Sequence, residues 1–306
     1  MSIDMHVHTH ISDSDYSIAQ TLGLAESRGV SHIAITDHDT VSGVGRALEL
    51  GKALGISVIP GVEISAFDFK RKKKAHILGY NFVLPAPAIT RLCAPLLMRR
   101  RENSLWQLAT LSSLGYDISP AEVLEKARHS TSIYKAHMME VLINKGYGQS
   151  DYVTLYRQLF GKDGLCARDI LYVDVHEAIQ AVKEDGGQAI FAHPGQEESS
   201  FDLIEELWDT GLDGIELHHC DNSPVDKATI LALAKQRHLI LTAGSDFHGN
   251  YGSKVDLGDL PAMPPHTNIG RVLDFGRTQV ARTVGQASTA LCPPFPVERL
   301  PATSQG

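Results

Sequence analysis

The chain has few cysteines, and the four it has are scattered: Cys93, Cys166, Cys220 and Cys292 include no Cys-x-x-Cys pair. That spacing indicates neither a thiolate zinc site nor a disulfide framework, so free thiols are expected. No apolar run approaches the ~20 residues that span a bilayer, and the N-terminus lacks the basic-then-apolar build of a signal peptide. The expectation is a cytoplasmic protein without a membrane partner. Positive charge is also short: 28 Lys and Arg stand against 36 Asp and Glu, a formal charge of −8. That balance disfavours long nucleic acid and leaves short oligonucleotides open. What remains is a chain of 306 residues, 43% hydrophobic, able to bury a sizeable core in one large domain or two smaller ones.

What is present is a His-x-His pair at the end of a short N-terminal run, His6-Val7-His8. Residues two apart in a strand point to the same face, so two imidazoles can chelate one ion. Comparable clusters recur, each read as the end of a short apolar run: Thr36-Asp37-His38, Gly61-Val62-Glu63, Ala75-His76, Ala192-His193-Pro194 and Gly244-Ser245-Asp246-Phe247-His248.

Apolar β-rich runs alternate with helical patterns. The predicted strands are 3–8, 32–36, 57–63, 75–80, 188–193, 214–218 and 239–245, and helices are predicted over 18–28, 44–54, 175–184, 201–210 and 225–236. Repeated strand-helix units imply a mostly parallel α/β sheet, and seven strands suggest a barrel or near-barrel. Residues 85–164 break the rhythm with helical periodicity alone, including starts near Ser119-Pro120 and Ser132 and a stop at Gly146. The expected organisation is a main domain over 1–84 and 165–260, a helical insertion or cap over 85–164, and a partly disordered C-terminal tail over 261–306.

Active sites in barrels and open α/β sheets form at the carboxyl ends of strands. His6, His8, His38, Glu63, His76, His193, Asp246 and His248 are expected to converge there, with Asp13 joining from the loop after the first strand. Imidazole and carboxylate without thiolate suit zinc, manganese or iron, and the sequence does not choose among them. These motifs, with Ser12-Asp13, Asp39, Ile64-Ser65 and His76-Ile77-Leu78-Gly79, resemble the ordered motifs of the polymerase-and-histidinol-phosphatase (PHP) family, and the middle segment resembles the insertion of its small bacterial phosphoesterases.

The resemblance implies a distorted seven-stranded (β/α) barrel and two or three divalent ions. His6, His8, Glu63 and Asp246 would hold the first ion, with Glu63 bridging to a second held by His76 and His193; Asp13, His38 and His248 would hold a third. Three such ions, offset by Asp13, Glu63 and Asp246, leave roughly +3 for anions to neutralise. The implied chemistry is hydrolytic phosphoryl transfer by a metal-bound hydroxide held by Glu63, Asp246 and His193. Lys135 and Gln196 stand where relatives often carry Arg, and neither offers its planar fork. Together with His137 they are the candidate substrate contacts. The departures favour a small phosphate ester such as phosphoribosyl cyclic phosphate over a nucleotide bisphosphate or short RNA; a non-catalytic metal-binding module is the remaining alternative.

Other residues carry paired readings. Lys70–Lys74 is a solvated hairpin tip or a basic rim that steers anions, and Arg99–Arg101 is read in the same way. Asp37 and Asp39 either orient imidazoles or serve turns and caps, and Tyr134 either stacks on substrate or packs in a core. His10, His32, His129, His176, His238 and His266 are assigned to the surface or to local hydrogen bonds. One of His218 and His219 is a candidate to enter the pocket.

Overall fold

The computed structural model describes residues 2–148, 151–196, 201–251 and 254–273. Five elements lead to the first half of the barrel: β1 (Ile3–Val7), α1 (Ile18–Ser27), β2 (His32–Ile35), α2 (Val44–Leu54) and β3 (Ser57–Ile64). Ser17 starts α1 with a capping box shared with Gln20, and Gly55 ends α2 in the left-handed conformation that glycine adopts without steric cost. After β3 come two short strands, β4 (Ala66–Asp68) and β5 (Lys73–Lys74), and then β6 (Ile77–Tyr80). Four helices follow without a strand between them: α3 (Pro87–Ser113), α4 (Pro120–Lys126), α5 (Lys135–Asn144) and α6 (Tyr152–Phe160). The second half runs β7 (Val173–Asp174), α7 (Val175–Glu184), β8 (Gln188–Phe191), α8 (Phe201–Leu207), β9 (Gly214–His218), α9 (Pro224–Arg237) and β10 (Ile240–Ala243).

The seven main strands form one sheet in the order β1-β2-β3-β6-β8-β9-β10. The sheet nearly closes: beyond the strand ends, His8 N donates to Phe247 O at 2.9 Å and Asp246 N to His6 O at 2.9 Å. The sheet is mostly parallel, as expected, with one strand reversed: β6 runs antiparallel to both β3 and β8. No crossover helix separates β3 from β6; the short strands β4 and β5 occupy that stretch and turn the chain back, pairing with β7 in a small second sheet. This second sheet was not anticipated from sequence, its strands being only two or three residues long.

Pleating explains how an apolar barrel carries a charged end. Ile59, Leu78, Tyr80 and Ile190 fill the interior with Met5 and Ala34. Two-residue steps along β3 lead from Ile59 to Glu63, and stepping back along β6 from Tyr80 and Leu78 leads to His76. The same inward face thus turns from apolar to ionisable toward one end. Ile33, Ile35 and Val58 face outward against α1 and α2.

The helices α3–α6 pack around an apolar cluster of their own, including Leu108, Leu111, Met138, Leu142 and Leu159. The predicted tail divides. Residues 261–273 dock on the barrel, where Val272 and Leu273 join the interior cluster and Thr267 O accepts from Leu241 N. Their apolar side chains give them a buried surface that the composition of the tail obscured. Residues 274–306 lie outside the described residues.

Candidate metal centre

Glu63 stands at the centre of the charged end. Its Oε2 lies 3.2 Å from His6 Nε2, 3.3 Å from His8 Nε2 and 3.1 Å from His38 Nδ1. Its Oε1 lies 2.8 Å from His76 Nδ1 and 3.0 Å from His193 Nε2. Asp246 Oδ1 approaches His6 Nε2 at 3.4 Å and His8 Nε2 at 3.2 Å. Asp13 faces His248 Nε2 at 3.4 Å and His38 Nε2 at 3.8 Å. All nine side chains named from sequence therefore meet in one place.

The route by which they meet differs at His76. It precedes β6 and so sits at a strand's amino end. Because β6 is reversed, that end lies level with the carboxyl ends of its neighbours. Asp246 takes a left-handed backbone conformation with φ 54°, a sparsely populated state for a residue other than glycine.

The donors suit divalent cations. His6 Nε2, both ring nitrogens of His8, His38 Nδ1 and Asp13 Oδ1 are buried and make no hydrogen bond, a costly arrangement unless another partner binds them. Among the described residues four sets of ligand atoms cluster closely enough to share an ion, three of them within the nine: His6, His8, Glu63 and Asp246; His38, Glu63 and His76; and His8, Asp13, His38 and His248; the fourth is His219, Cys220 and Asp221. His38 thus belongs to two sets, whereas the family pattern assigns it to the third alone. Protein groups by themselves balance the charge only by opposed titrations. Burial pushes the Glu63 carboxyl up, but His38, His6 and His76 outweigh it and hold it well below the ordinary range. Burial pulls His8 down, yet Asp246, Glu63 and Asp13 raise it to about 10. Divalent cations would supply the same compensating charge.

Buried residues around the cluster hold its loops in shape. Asp37 accepts from Thr9 N at 2.7 Å, Thr9 Oγ1 at 2.8 Å and Ser12 Oγ at 2.7 Å, fixing the loop that carries Asp13. Asp4 accepts from Ser245 N and Oγ at 3.0 and 2.6 Å, steadying the loop of Asp246. Asp39 receives Arg100 Nη2 at 2.7 Å and Ser65 N at 2.8 Å. Of the two adjacent histidines in question, His219 reaches the cluster, with Nε2 3.4 Å from Asp246 Oδ2. His10 packs its ring at a tilt against His129, while His32 and His176 contact Ser31 and Thr210.

A cavity of about 340 Å³ opens over the cluster, lined on the helical side by Arg100, Tyr134, Lys135, Tyr152 and Tyr156. Arg100 extends from α3 and packs its guanidinium 4.8 Å above the Tyr134 ring. Tyr134 in turn stacks on His38 and donates to His38 O at 3.1 Å. Among the cations of this lining, Arg100 pairs with Asp39, Lys74 with Asp169 and Lys254 with Asp221. Lys135 makes no ion pair among the described residues. Its Nζ lies about 6 Å from the Tyr156 and Phe160 rings, and burial lowers its pKa.

Gln196 also lines the cavity, with Nε2 3.4 Å from Asp221 Oδ2. His137 does not. Its Nδ1 accepts from Tyr134 N at 3.1 Å, closing the first turn of α5. The imidazole thereby takes the place that a Glu or Gln side chain has at the third position of a capping box, satisfying the N–H of the residue that begins the helix. The basic run 70–74 is largely neutralised: Lys70 pairs with Glu206, and Arg71 with Asp68, Asp202 and Glu206.

A family model for the PHP domain matches residues 4–190. The chain belongs to the PHP family. Its PHP relatives include the phosphoribosyl 1,2-cyclic phosphate 1,2-diphosphodiesterase of Eggerthella lenta, 46% identical over 83% of this chain and 97% of that protein. The 5'-3' exoribonuclease Rnm of Escherichia coli is 29% identical over 80% of this chain and 84% of that one. A solved Bifidobacterium adolescentis structure, described as a metal-dependent phosphoesterase, superposes with a TM-score of 0.81 at 25% identity, covering 90% of this chain and 96% of that one. This PHP protein is a metal-dependent phosphoesterase and thus a hydrolase. No helix among the described residues is long and apolar enough to cross a membrane.

Proposed function

We propose that the protein hydrolyses a phosphorylated sugar carrying a cyclic phosphate, with phosphoribosyl cyclic phosphate as the lead substrate. The observation that carries this reading is the pairing of a cluster built for cations with Lys135, a lining cation that makes no ion pair among the described residues, in the same cavity. A compact substrate with two phosphate groups fits that arrangement: one group is cleaved at the cluster while Lys135 holds the other. The resemblance to the Eggerthella lenta enzyme supports the same substrate.

Two or three ions of manganese, zinc or iron would be held by His6, His8, Asp13, His38, Glu63, His76, His193, Asp246 and His248. When bound, such ions lower the pKa of water and offset charge on phosphoryl oxygens. Glu63, Asp246 and His193 orient the attacking water, and Gln196 offers an amide that can donate to and accept from sugar hydroxyls. His137 is withdrawn from substrate contact, since its imidazole serves α5. Residues 85–164 act as the cap over a catalytic domain formed by 1–84 and 165–260.

Hydrolysis, followed as loss of substrate and appearance of the ring-opened monoester, mononucleotide or phosphate product, should be measured with manganese, zinc or iron on phosphoribosyl cyclic phosphate, a nucleotide bisphosphate and short RNA. The cyclic ester should give the highest kcat/KM. A preference for RNA, unchanged in Lys135→Ala and Gln196→Arg, would overturn the substrate assignment while leaving the phosphoesterase intact.

A further inference from the structure

Of the seven barrel strands, β9 alone is associated with none of the nine candidate ligands. Its centre nevertheless carries a carboxylate, Glu216, fully buried within the run Gly214-Ile215-Glu216-Leu217. Ile215 and Leu217 pack outward in the main apolar cluster, so the pleat turns Glu216 inward. Glu216 Oε1 lies 3.1 Å from His6 Nδ1, and Oε2 accepts from the backbone N of His193 at 2.9 Å. Space around it is tight. A Cβ at Gly244 would stand 2.5 Å from Glu216 Oε1 and 2.1 Å from His6 Cβ.

We propose that Glu216 is a positioning residue that fixes His6 in its metal-binding tautomer and locks the His193 loop in register with it. The carboxylate has only acceptors, so His6 must present Nδ1–H to it, leaving Nε2 as a lone pair. That Nε2 is the atom beside Glu63 and Asp246, and it is buried without a hydrogen bond. A metal-ligating imidazole commonly donates its other N–H to a carboxylate in this way. The second oxygen joins this restraint to a different strand, because His193 follows β8. One residue thereby sets the geometry of two ligands that touch opposite oxygens of Glu63. Glu216 also adds a fourth carboxylate near the cluster, bringing the residual charge of three bound divalent ions to roughly +2, which one phosphate dianion would balance.

The inference rests on the cluster holding metal, and Glu216→Gln separates the two claims. An amide offers one acceptor and one donor where both partners require an acceptor. If its NH₂ faces His6, Nε2 becomes protonated and cannot bind metal; if it faces His193 N–H, two donors collide.

Metal content, metal affinity by competition with a chromophoric chelator, and thermal midpoints with and without metal should be compared with the parent. The variant should bind metal about 10- to 100-fold more weakly. Its metal-free midpoint should fall somewhat, since an amide leaves His6 or the His193 N–H without its acceptor, with excess metal restoring most of kcat. A lower metal-free midpoint with unchanged affinity would make Glu216 merely structural and overturn the proposal. Uptake of no metal by the parent would instead overturn the functional reading. Should Glu216→Gln not fold, imidazole nitrogen shifts of the zinc-loaded parent decide: His6 must show protonated Nδ1 and metal-bound Nε2, and the reverse overturns the assignment.

Discussion

On the barrel side of the cavity, side chains from strands or the loops beside them converge within 4 Å of one another. Their positions are tied by Asp4, Asp37 and Glu216 as well as by the sheet. On the helical side, Arg100, Tyr134 and Lys135 come from α3, α5 and the turn before α5, which pack around a separate apolar cluster. The first side is over-determined by hydrogen bonds; on the second, Arg100 and Tyr134 are bonded to barrel loops, while Lys135 is held by packing against aromatic rings. Chemistry that tolerates little displacement thus stands on the closed sheet, and recognition stands on a surface that can vary without disturbing it.

The largest effect should come from the barrel side. Chelation should abolish hydrolysis and lower the thermal midpoint, with both restored by metal; ions at 100 times their Kd add about 2.7 kcal/mol. Glu63→Gln and Asp246→Asn should each lower kcat by roughly 10³-fold at saturating metal. Full activity in Glu63→Gln would remove the centre from the barrel side of the comparison.

Leu142→Ala tests whether the helical side is energetically separate. Emptying this buried site should cost about 2–5 kcal/mol in chemical denaturation, while metal bound per folded molecule stays at the parental value. Metal lost in proportion to stability would mean that the two sides form one unit.

Lys135→Ala should act on binding. Loss of a charge-assisted contact of about 2 kcal/mol corresponds to roughly 30-fold in KM, with kcat within a few-fold of the parent. A fall confined to kcat would move Lys135 to the barrel side.

The smallest effect is expected at the join. Burial raises the Asp169 carboxyl, but Lys74 and Lys135 outweigh it and bring it down to about 2. A depressed carboxylate adds stability above its unfolded value of 3.8 and loses it as pH falls through its folded value. Asp169→Asn should therefore flatten the acid limb between about pH 4 and 2 relative to the parent, modestly because the pair is partly exposed. Parallel acid limbs would show that the charge of Lys135 from the helical side, added to that of Lys74, does not couple the two sides through Asp169.

Several features could be read along the chain. The limits of α2 and α7 and the start of α1 followed from apolar periodicity, and the start of α4 from Ser119-Pro120. The nine convergent residues were legible because each falls beside a short apolar strand. Arg100 was missed within Arg99–Arg101, although it shares a helical stripe with Cys93, Leu96, Asn103 and Gln107 that marks a buried face. Glu216 had a comparable signal, an acid between apolar residues of a strand, but its partners lie 210 and 23 positions away.

By itself the sequence determined local matters: which runs form strands, where helices begin, and which imidazoles and carboxylates stand near strand ends. Those outcomes depend on propensity, capping and period-two or period-3.6 patterning, which act over a few neighbouring residues. Only the tertiary structure decided that β6 runs backwards and brings His76 to the centre, that His137 serves a helix, and that Lys135 lines the cavity wall without an ion pair among the described residues. Strand direction and charge pairing depend on which distant surfaces meet, and those contacts have no fixed separation along the chain.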